Sequence, residues 1–496
     1  MSFLSDLLFE AQIIAQNLGD MVAGPHLRLG VTGLSRAGKT VFITALIDQL
    51  TKAARPSLRR GKNPLPVFRV QAEGRLTRGE LEPQPDDAVP RFSYEKHLEA
   101  LHGPKGDTGT RHWPESTSQI SELRLRLEFE RPNGQQKTLT IDIVDYPGEW
   151  LLDLPLLDKS YAEWSRETLE ASASPARATL AEEWRHFIGQ LDPKMGMAEE
   201  TAREAAELFT TYLKGCRADI YAFSVLPPGR FLMPGDLAGS PALTFSPLML
   251  EEGIAYPAHS LAGMMERRFE AYKTHIVRPF FRDHFVRLDR QIVLVDALSA
   301  LNAGAAAVRD LEAALSDILV AFRVGHGNLL TNLLRPKIDK ILFAATKADH
   351  LHHTSHDRLE AILRYLTNRA ISRAEAGGAT IDVIAMAAVR ATREAMVSGE
   401  DGTALEAVIG TPLAGENIDG EIFDGYEEAA IFPGDLPKDP KLIFQPPQPG
   451  STAASDYRFV RFRPPLPVRN PEGTVLPLPH IRLDRAFEFL LGDRLN

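Results

Sequence analysis

A single cysteine, Cys216, in 496 residues excludes an internal disulfide framework. A chain this long can bury a sizeable core without one, so a reducing cytoplasm is the expected setting. No run of about 18 apolar residues occurs, which excludes a membrane-spanning helix. Positive charge is in the minority, with 56 Lys and Arg against 66 Asp and Glu, a net −10. A broad phosphate-binding surface needs positive potential, so nucleic acid or anionic lipid is not expected as the dominant partner. The opening residues MSFLSDLLFEAQ lack the basic stretch and cleavage site of a secretory leader. There is no internal repeat. The expectation is a soluble, cytoplasmic protein.

The chain is 44% hydrophobic and 25% charged, which is globular composition. Residues 1–24 read as an amphipathic helix, with Leu4, Leu7, Leu8, Ala11, Ala15 and Leu18 at helical spacing. HLRLGVTG (26–33) reads as a buried strand ending in a glycine turn, and TVFITALIDQL (40–50) as a helix. Residues 51–116 have no clean period and read as an insertion. ELRLRLEF (122–129) and TLTIDIVD (138–145) flank Pro132-Asn133-Gly134 and predict an antiparallel hairpin. Residues 150–216 read as a helical insertion with Trp164, Trp184 and Phe187 as core contacts. Four more strands are predicted, at 218–226, 290–298, 340–347 and 381–389. Strands alternating with helices indicate an α/β fold, a mixed and mostly parallel sheet flanked by helices, spanning 25–400. Residues 401–480 hold 13 of the 35 prolines and strand-like pieces such as YRFVRF (457–462). They read as a small β-rich unit, closed by an amphipathic helix in 481–496.

The chemistry lies in three motifs. Gly33-Leu34-Ser35-Arg36-Ala37-Gly38-Lys39-Thr40 fits GxxxxGK[ST] between a strand and a helix, a pattern expected by chance in only about 1% of chains this long. This is a P-loop (Walker A) signature. The glycines let the amides of Gly33, Ser35, Arg36, Ala37, Gly38, Lys39, Thr40 and Val41 curl around phosphate, and the helix N-terminus adds its dipole. Lys39 would reach the β/γ-phosphates and the Thr40 hydroxyl would ligate Mg²⁺. Asp145-Tyr146-Pro147-Gly148 fits DxxG at the end of an apolar strand, where a carboxylate can meet the Mg²⁺ shell. A second DxxG, Asp236-Leu237-Ala238-Gly239, follows a turn and is set aside. Asp145 is therefore assigned to the metal and the Gly148 amide to the γ-phosphate. Thr346-Lys347-Ala348-Asp349 fits [NT]KxD after the strand KILFAA. A carboxylate at Asp349 would accept from guanine N1–H and the exocyclic amine, a pattern adenine does not offer, with Lys347 packed on the base or the P-loop.

In this order the motifs resemble the Ras-like P-loop GTP-binding proteins. The resemblance implies a base-contacting loop at Ala387-Ala388-Val389 without its usual Lys, and a switch hydroxyl on the metal at Thr117, with Ser116 and Ser118 as rivals. A closer resemblance is carried by GLSRAGKTVF, WPESTS, DYPGEWLLDLPLL, LPPGRFLMPGD, RQIVLVDALSALNAG, TKADH, AAVRAT and PHIRLD…FLLGDRL. These are similar to the YcjX family of bacterial stress-associated, Ras-like GTP-binding proteins. That resemblance implies GTP/GDP with Mg²⁺ as ligands, Mg²⁺-dependent GTP hydrolysis used as a conformational switch, and a stress or envelope-related process. It also implies a protein effector and a cytoplasmic protein with a peripheral tie to the inner membrane.

The chain departs from small GTPases at Glu149, where a water-orienting Gln usually follows DxxG. A carboxylate there would repel the γ-phosphate, so slow hydrolysis is expected. This leaves open a nucleotide-responsive scaffold with little turnover, and beyond it a P-loop ATPase. Lys39, Thr117, Gly148 and Glu149 are the expected catalytic set. Arg111 is the nearest candidate for an arginine acting in cis, and Arg36 is expected to face solvent or a structural carboxylate. His350, His352, His353 and His356 read as a polar helix start, with a transition metal on the i,i+4 pair His352/His356 as the alternative.

Overall fold

The computed structural model describes residues 25–34, 36–54, 63–84, 86–115, 119–321, 338–375, 378–399, 402–418, 420–445 and 457–496. The helix expected in 1–24, together with Ser35 and Ser116–Ser118, lies outside them. Seven strands form one sheet in the order β2-β3-β4-β1-β5-β6-β7. They are β1 (His26–Gly33), β2 (Leu76–Glu82), β3 (Ser121–Glu130), β4 (Gln136–Asp145), β5 (Arg290–Val295), β6 (Lys340–Ala345) and β7 (Thr380–Ala385). Strands β4, β1, β5, β6 and β7 are mutually parallel, and the β2–β3 and β3–β4 pairs are antiparallel. The neighbours of β1 continue the sheet to either side, so the turn leaving it opens at a topological switch point, where α/β sheets place ligands.

The β3–β4 hairpin turns at Pro132-Asn133-Gly134, and Gly134 takes the left-handed φ of 82° that the turn requires. The insertion before it adds an element the sequence pattern hid: β2 joins the edge of β3. Its residues LTRGELE do not alternate cleanly: past Leu76 the strand is only partly buried, and Gly79 lies against the Leu50 carbonyl of the helix that follows the P-loop.

The helical part is longer than expected. It starts with a tight helical run, Gly148–Asp158, and continues through the helices Tyr161–Ser172, Ala178–Gly189 and Glu199–Arg217. Ser160 and Glu163 form a reciprocal capping box at the first of these helices. Beyond the expected boundary, Leu261–Tyr272 joins the same core. Trp164 stacks on Phe269 at 5.0 Å, and Trp184 stacks on Tyr212 at 5.4 Å.

One expected strand is absent. Residues 218–226 are turn and irregular backbone, with Ala222 at a left-handed φ of 48°. The amides of Ser224 and Val225 donate to the Asp310 carboxylate, on the helix Ala305–Ala321, rather than to a strand. Phe223 and Leu226 are buried in the helical core. The apolar run was therefore real, but burial and not sheet pairing accounts for it.

At the C-terminal side, β8 (Arg393–Ser398), β9 (Ala404–Gly410) and β12 (Ala429–Ile431) make an antiparallel sheet. β10 (Asn417–Ile418) and β11 (Glu421–Ile422) form a small ribbon beside it. Tyr457–Phe462 joins neither sheet and carries one isolated bridge, Phe462 to Pro412. The closing helix Leu483–Leu491 buries Phe487, Leu490 and Leu491 in the core cluster that also holds the inner residues of β1 and β3. Its end is pinned by Arg290 of β5, which is fully buried and donates to the Leu490 carbonyl and to both Asp493 and Asp339. Among the described residues no helix is long and apolar enough to cross a membrane.

Candidate functional site

β1 delivers the chain into the turn 34–38, and the helix Lys39–Ala53 leaves it. Arg36 and Gly38 both take left-handed φ values, 60° and 82°. Such a reversal turns successive amides to one side, the geometry of an anion nest. Gly38 is the entry residue of the helix, so the helix N-terminus faces the same space. Lys39 Nζ donates to the Gly33 carbonyl at 3.0 Å, lying across the loop it belongs to. The Thr40 hydroxyl donates to the Glu115 carbonyl at 3.3 Å.

Asp145 ends β4 in register with Val31 of β1 and is 1% exposed. Three residues on, Gly148 lies directly against the P-loop. A Cβ there would come 2.1 Å from the Gly33 carbonyl oxygen, a distance no side chain tolerates. The DxxG glycine is thus required by close approach of two backbones. Glu149 follows it, nearly buried, and pairs with Arg217 at 3.2 Å at the end of the helix Glu199–Arg217.

β6 ends at Ala345; Thr346 follows it, and Lys347 takes a left-handed φ of 60°. Its ammonium meets Asp296 Oδ2 at 2.5 Å. Asp296 follows the last residue of β5 and caps the helix Ala297–Ala303 by accepting from the Ser299 amide at 3.1 Å. Burial alone would raise the Asp296 carboxyl, but Lys347 and Ser299 hold it below the ordinary range. Asp349 is 4% exposed and its Oδ2 accepts from the Ala391 amide at 2.8 Å. Its main-chain carbonyl accepts from the Thr392 hydroxyl. Burial pushes the neighbouring His350 below the usual imidazole range.

These segments, far apart in sequence, line one cavity of about 330 Å³. Arg36, Ala37, Gly38, Lys39, Thr40 and Val41 form one wall, Thr346, Lys347 and Asp349 another, and Ala388 and Val389 a third. Gly33, Asp145, Gly148 and Glu149 are not among its lining residues. Ser35 and Thr117 lie outside the described residues.

The cavity also has a wall that the motifs did not indicate. Trp113, Arg461 and Phe462 line it. Trp113 Nε1 donates to the Phe462 carbonyl at 2.6 Å, and the Phe462 ring meets His350 edge-on at 5.4 Å. Arg461 and Arg36 both face Asp219, and Arg36 forms a direct ion pair with it. Arg111 is held elsewhere, donating to the Pro464 and Thr108 carbonyls at 2.6 and 2.9 Å. It is a clamp on the C-terminal segment and does not line the cavity. His356 donates from Nε2 to the Ala348 carbonyl at 2.8 Å, so the i,i+4 pair with His352 is not a ligand pair.

The profile of the YcjX-like family, DUF463, matches residues 27–495. The chain belongs to this family. A protein of Escherichia coli named Ras-like GTPase YcjX is 37% identical over 484 residues, 95% of this chain and 96% of that one. A protein of Shewanella oneidensis with the same name is 34% identical over 496 residues, covering 97% of each chain. In this family member the match includes the C-terminal segment that completes the cavity, as well as the P-loop core.

Proposed function

We propose that the chain binds GTP and GDP with Mg²⁺ and hydrolyses GTP to GDP and phosphate, the change of nucleotide acting as a conformational switch read by a protein effector. The observation carrying this reading is the convergence of the P-loop, the Thr346-Lys347-Ala348-Asp349 loop and the Ala387–Val389 loop on one cavity. Its volume lies at the lower end of the ordinary range for small-molecule sites. The relatives' printed name, Ras-like GTPase, supports the same class.

In this reading the amides of residues 35–41 hold the phosphates and Lys39 leaves the Gly33 carbonyl to meet them. Asp349 accepts from guanine. Thr40, in the first turn of the helix Lys39–Ala53, and Asp145, at the end of β4, offer hard oxygen donors, the type that Mg²⁺ takes; the ion would offset phosphate charge. Thr117 is proposed as the switch hydroxyl. The Gly148 amide, held against Gly33, serves the γ-phosphate, and Glu149 orients water. The predicted repulsion between Glu149 and phosphate has a local answer, because the guanidinium of Arg217 offsets that carboxylate.

The same pair favours a second reading, a scaffold that holds nucleotide and turns it over little, because Arg217 also competes with water for Glu149. Single-turnover phosphate release from the full chain separates the two. A measurable rate abolished by Lys39→Ala supports hydrolysis, and tight GTP binding without phosphate release supports the scaffold. Competition between GTP and ATP disposes of the ATPase alternative. Asp349→Asn should lower GTP affinity by about a hundredfold or more and raise affinity for xanthosine triphosphate. Unchanged base preference in that variant would sink the guanine assignment.

A further inference from the structure

His352 and His353 sit between the guanine-recognition loop and the helix His356–Glu375. They face the C-terminal sheet, where Glu394 lies on β8 and Glu406 on β9. The register pairs Glu394 with Val408 and Met396 with Glu406. Side chains two residues apart share a sheet face, so both glutamates project from the same side. His353 Nδ1 lies 2.8 Å from Glu394 Oε2, and His352 Nδ1 lies 3.8 Å from Glu406 Oε2. The two imidazole rings are 4.3 Å apart. One ligand atom from each of His352, His353 and Glu394 falls within 4.8 Å of the others.

We propose that His352, His353 and Glu394, with Glu406 as the fourth donor, form a site for a divalent transition metal of the zinc class. Two imidazoles and one or two carboxylates are a donor set that Zn²⁺ accepts and that Mg²⁺ and Ca²⁺ do not favour. The cluster is asymmetric: the His352 side chain is 10% exposed and His353 62%. Its buried side fixes geometry, and its open side gives the ion a way in and leaves room for water. The hydrogen bond between His353 and Glu394 positions both ligands, as does the contact of Thr354 with Glu406. Binding requires neutral imidazoles and exchanges the contacts of His352 Nδ1 with Thr354 and of His353 Nδ1 with Glu394 for the metal, while Arg390 stays 3.3 Å from the Glu394 carboxylate. The ion would fasten the β8–β9 ribbon to the loop carrying Asp349, a junction already bridged by the bonds from Ala391 and Thr392. The site uses none of the residues assigned to nucleotide.

The test uses the untagged full-length chain, stripped with chelator and free of nucleotide, titrated with ZnCl₂ by calorimetry. The expected result is one saturable Zn²⁺ per chain, and Co²⁺ in its place giving a visible absorption band. His353→Ala and Glu394→Gln should each weaken Zn²⁺ affinity by roughly tenfold or more, while His186→Ala, on the helical insertion, should leave it unchanged. His353 is exposed, so its variant should keep the wild-type melting profile without metal. Absence of saturable binding in the wild type, or equal affinity in the His353→Ala/Glu394→Gln double variant, overturns the site. Because nucleotide is excluded, neither outcome depends on the GTP reading.

Discussion

Arg217 and Glu149 show how one residue alters the meaning of another. A carboxylate after DxxG reads as a liability in the sequence, yet its partner arrives from the far end of the helical insertion that follows. Removing the partner should expose the liability. Arg217→Ala is expected to weaken GTP binding roughly fivefold, about 1 kcal/mol, with little change for GDP. Equal losses for both nucleotides, measured by displacement of a fluorescent analogue, would mean that Arg217 serves the fold instead. Asp153 makes a second residue-scale prediction. It is buried, accepts from the Gly229 amide at 2.7 Å and from the Tyr272 hydroxyl at 2.5 Å, and burial pushes its pKa up to about 7. A raised folded-state pKa means that the folded chain holds this proton longer than the unfolded one. The stability it contributes is full below about pH 4 and is lost as pH rises toward 7. The melting temperature of Asp153→Asn relative to wild type should therefore climb between pH 5 and 7; a flat difference would refute the shift.

At the scale of elements, the segment Gly148–Asp158 is the one to watch. Its backbone touches the P-loop at Gly148, and Gly229 packs so tightly on it that a Cβ would come 2.3 Å from the Glu149 carbonyl oxygen. Trp150 is buried between Phe280, at 5.6 Å, and the Arg230 guanidinium, 3.3 Å above its ring. If nucleotide state moves this segment, tryptophan emission should differ between GDP and a non-hydrolysable GTP analogue, and Trp150→Phe should remove the difference. Identical spectra at saturating ligand would count against movement here. The motifs around this element were legible because the backbone dictates their residue types. A left-handed φ at Gly38 and the contact at Gly148 admit little else. Asp296, which holds Lys347, carried no such mark: an Asp at a strand end is also an ordinary helix cap. Trp113, Arg461 and Phe462 were hidden for another reason, since irregular proline-rich chain has no period from which a contact between such distant stretches could be read. The false strand at 218–226 fails in the same way, because a short apolar run reports burial and not its partner.

At the scale of the molecule, the closing helix is a structural staple. Arg290 on β5 is fully buried and divides its donors between Asp339 and Asp493, and Lys340 adds a 2.8 Å contact to Asp493. Burial pulls the Asp493 carboxyl upward, but Arg290 and Lys340 together hold it well below its usual range. Asp493→Ala should cost about 1–3 kcal/mol, the lower part of the range reflecting the half-exposed aspartate. The shift in urea midpoint at constant slope measures it, and no shift would show that Asp339 suffices. The wall formed by Phe462 against Trp113 and His350 has a consequence in time. A ribosome delivers the P-loop early and the Thr346–Asp349 loop much later, but the cavity still lacks a side until Phe462 has emerged. The cavity as it stands in the folded chain is therefore complete only once the C-terminal segment has been made.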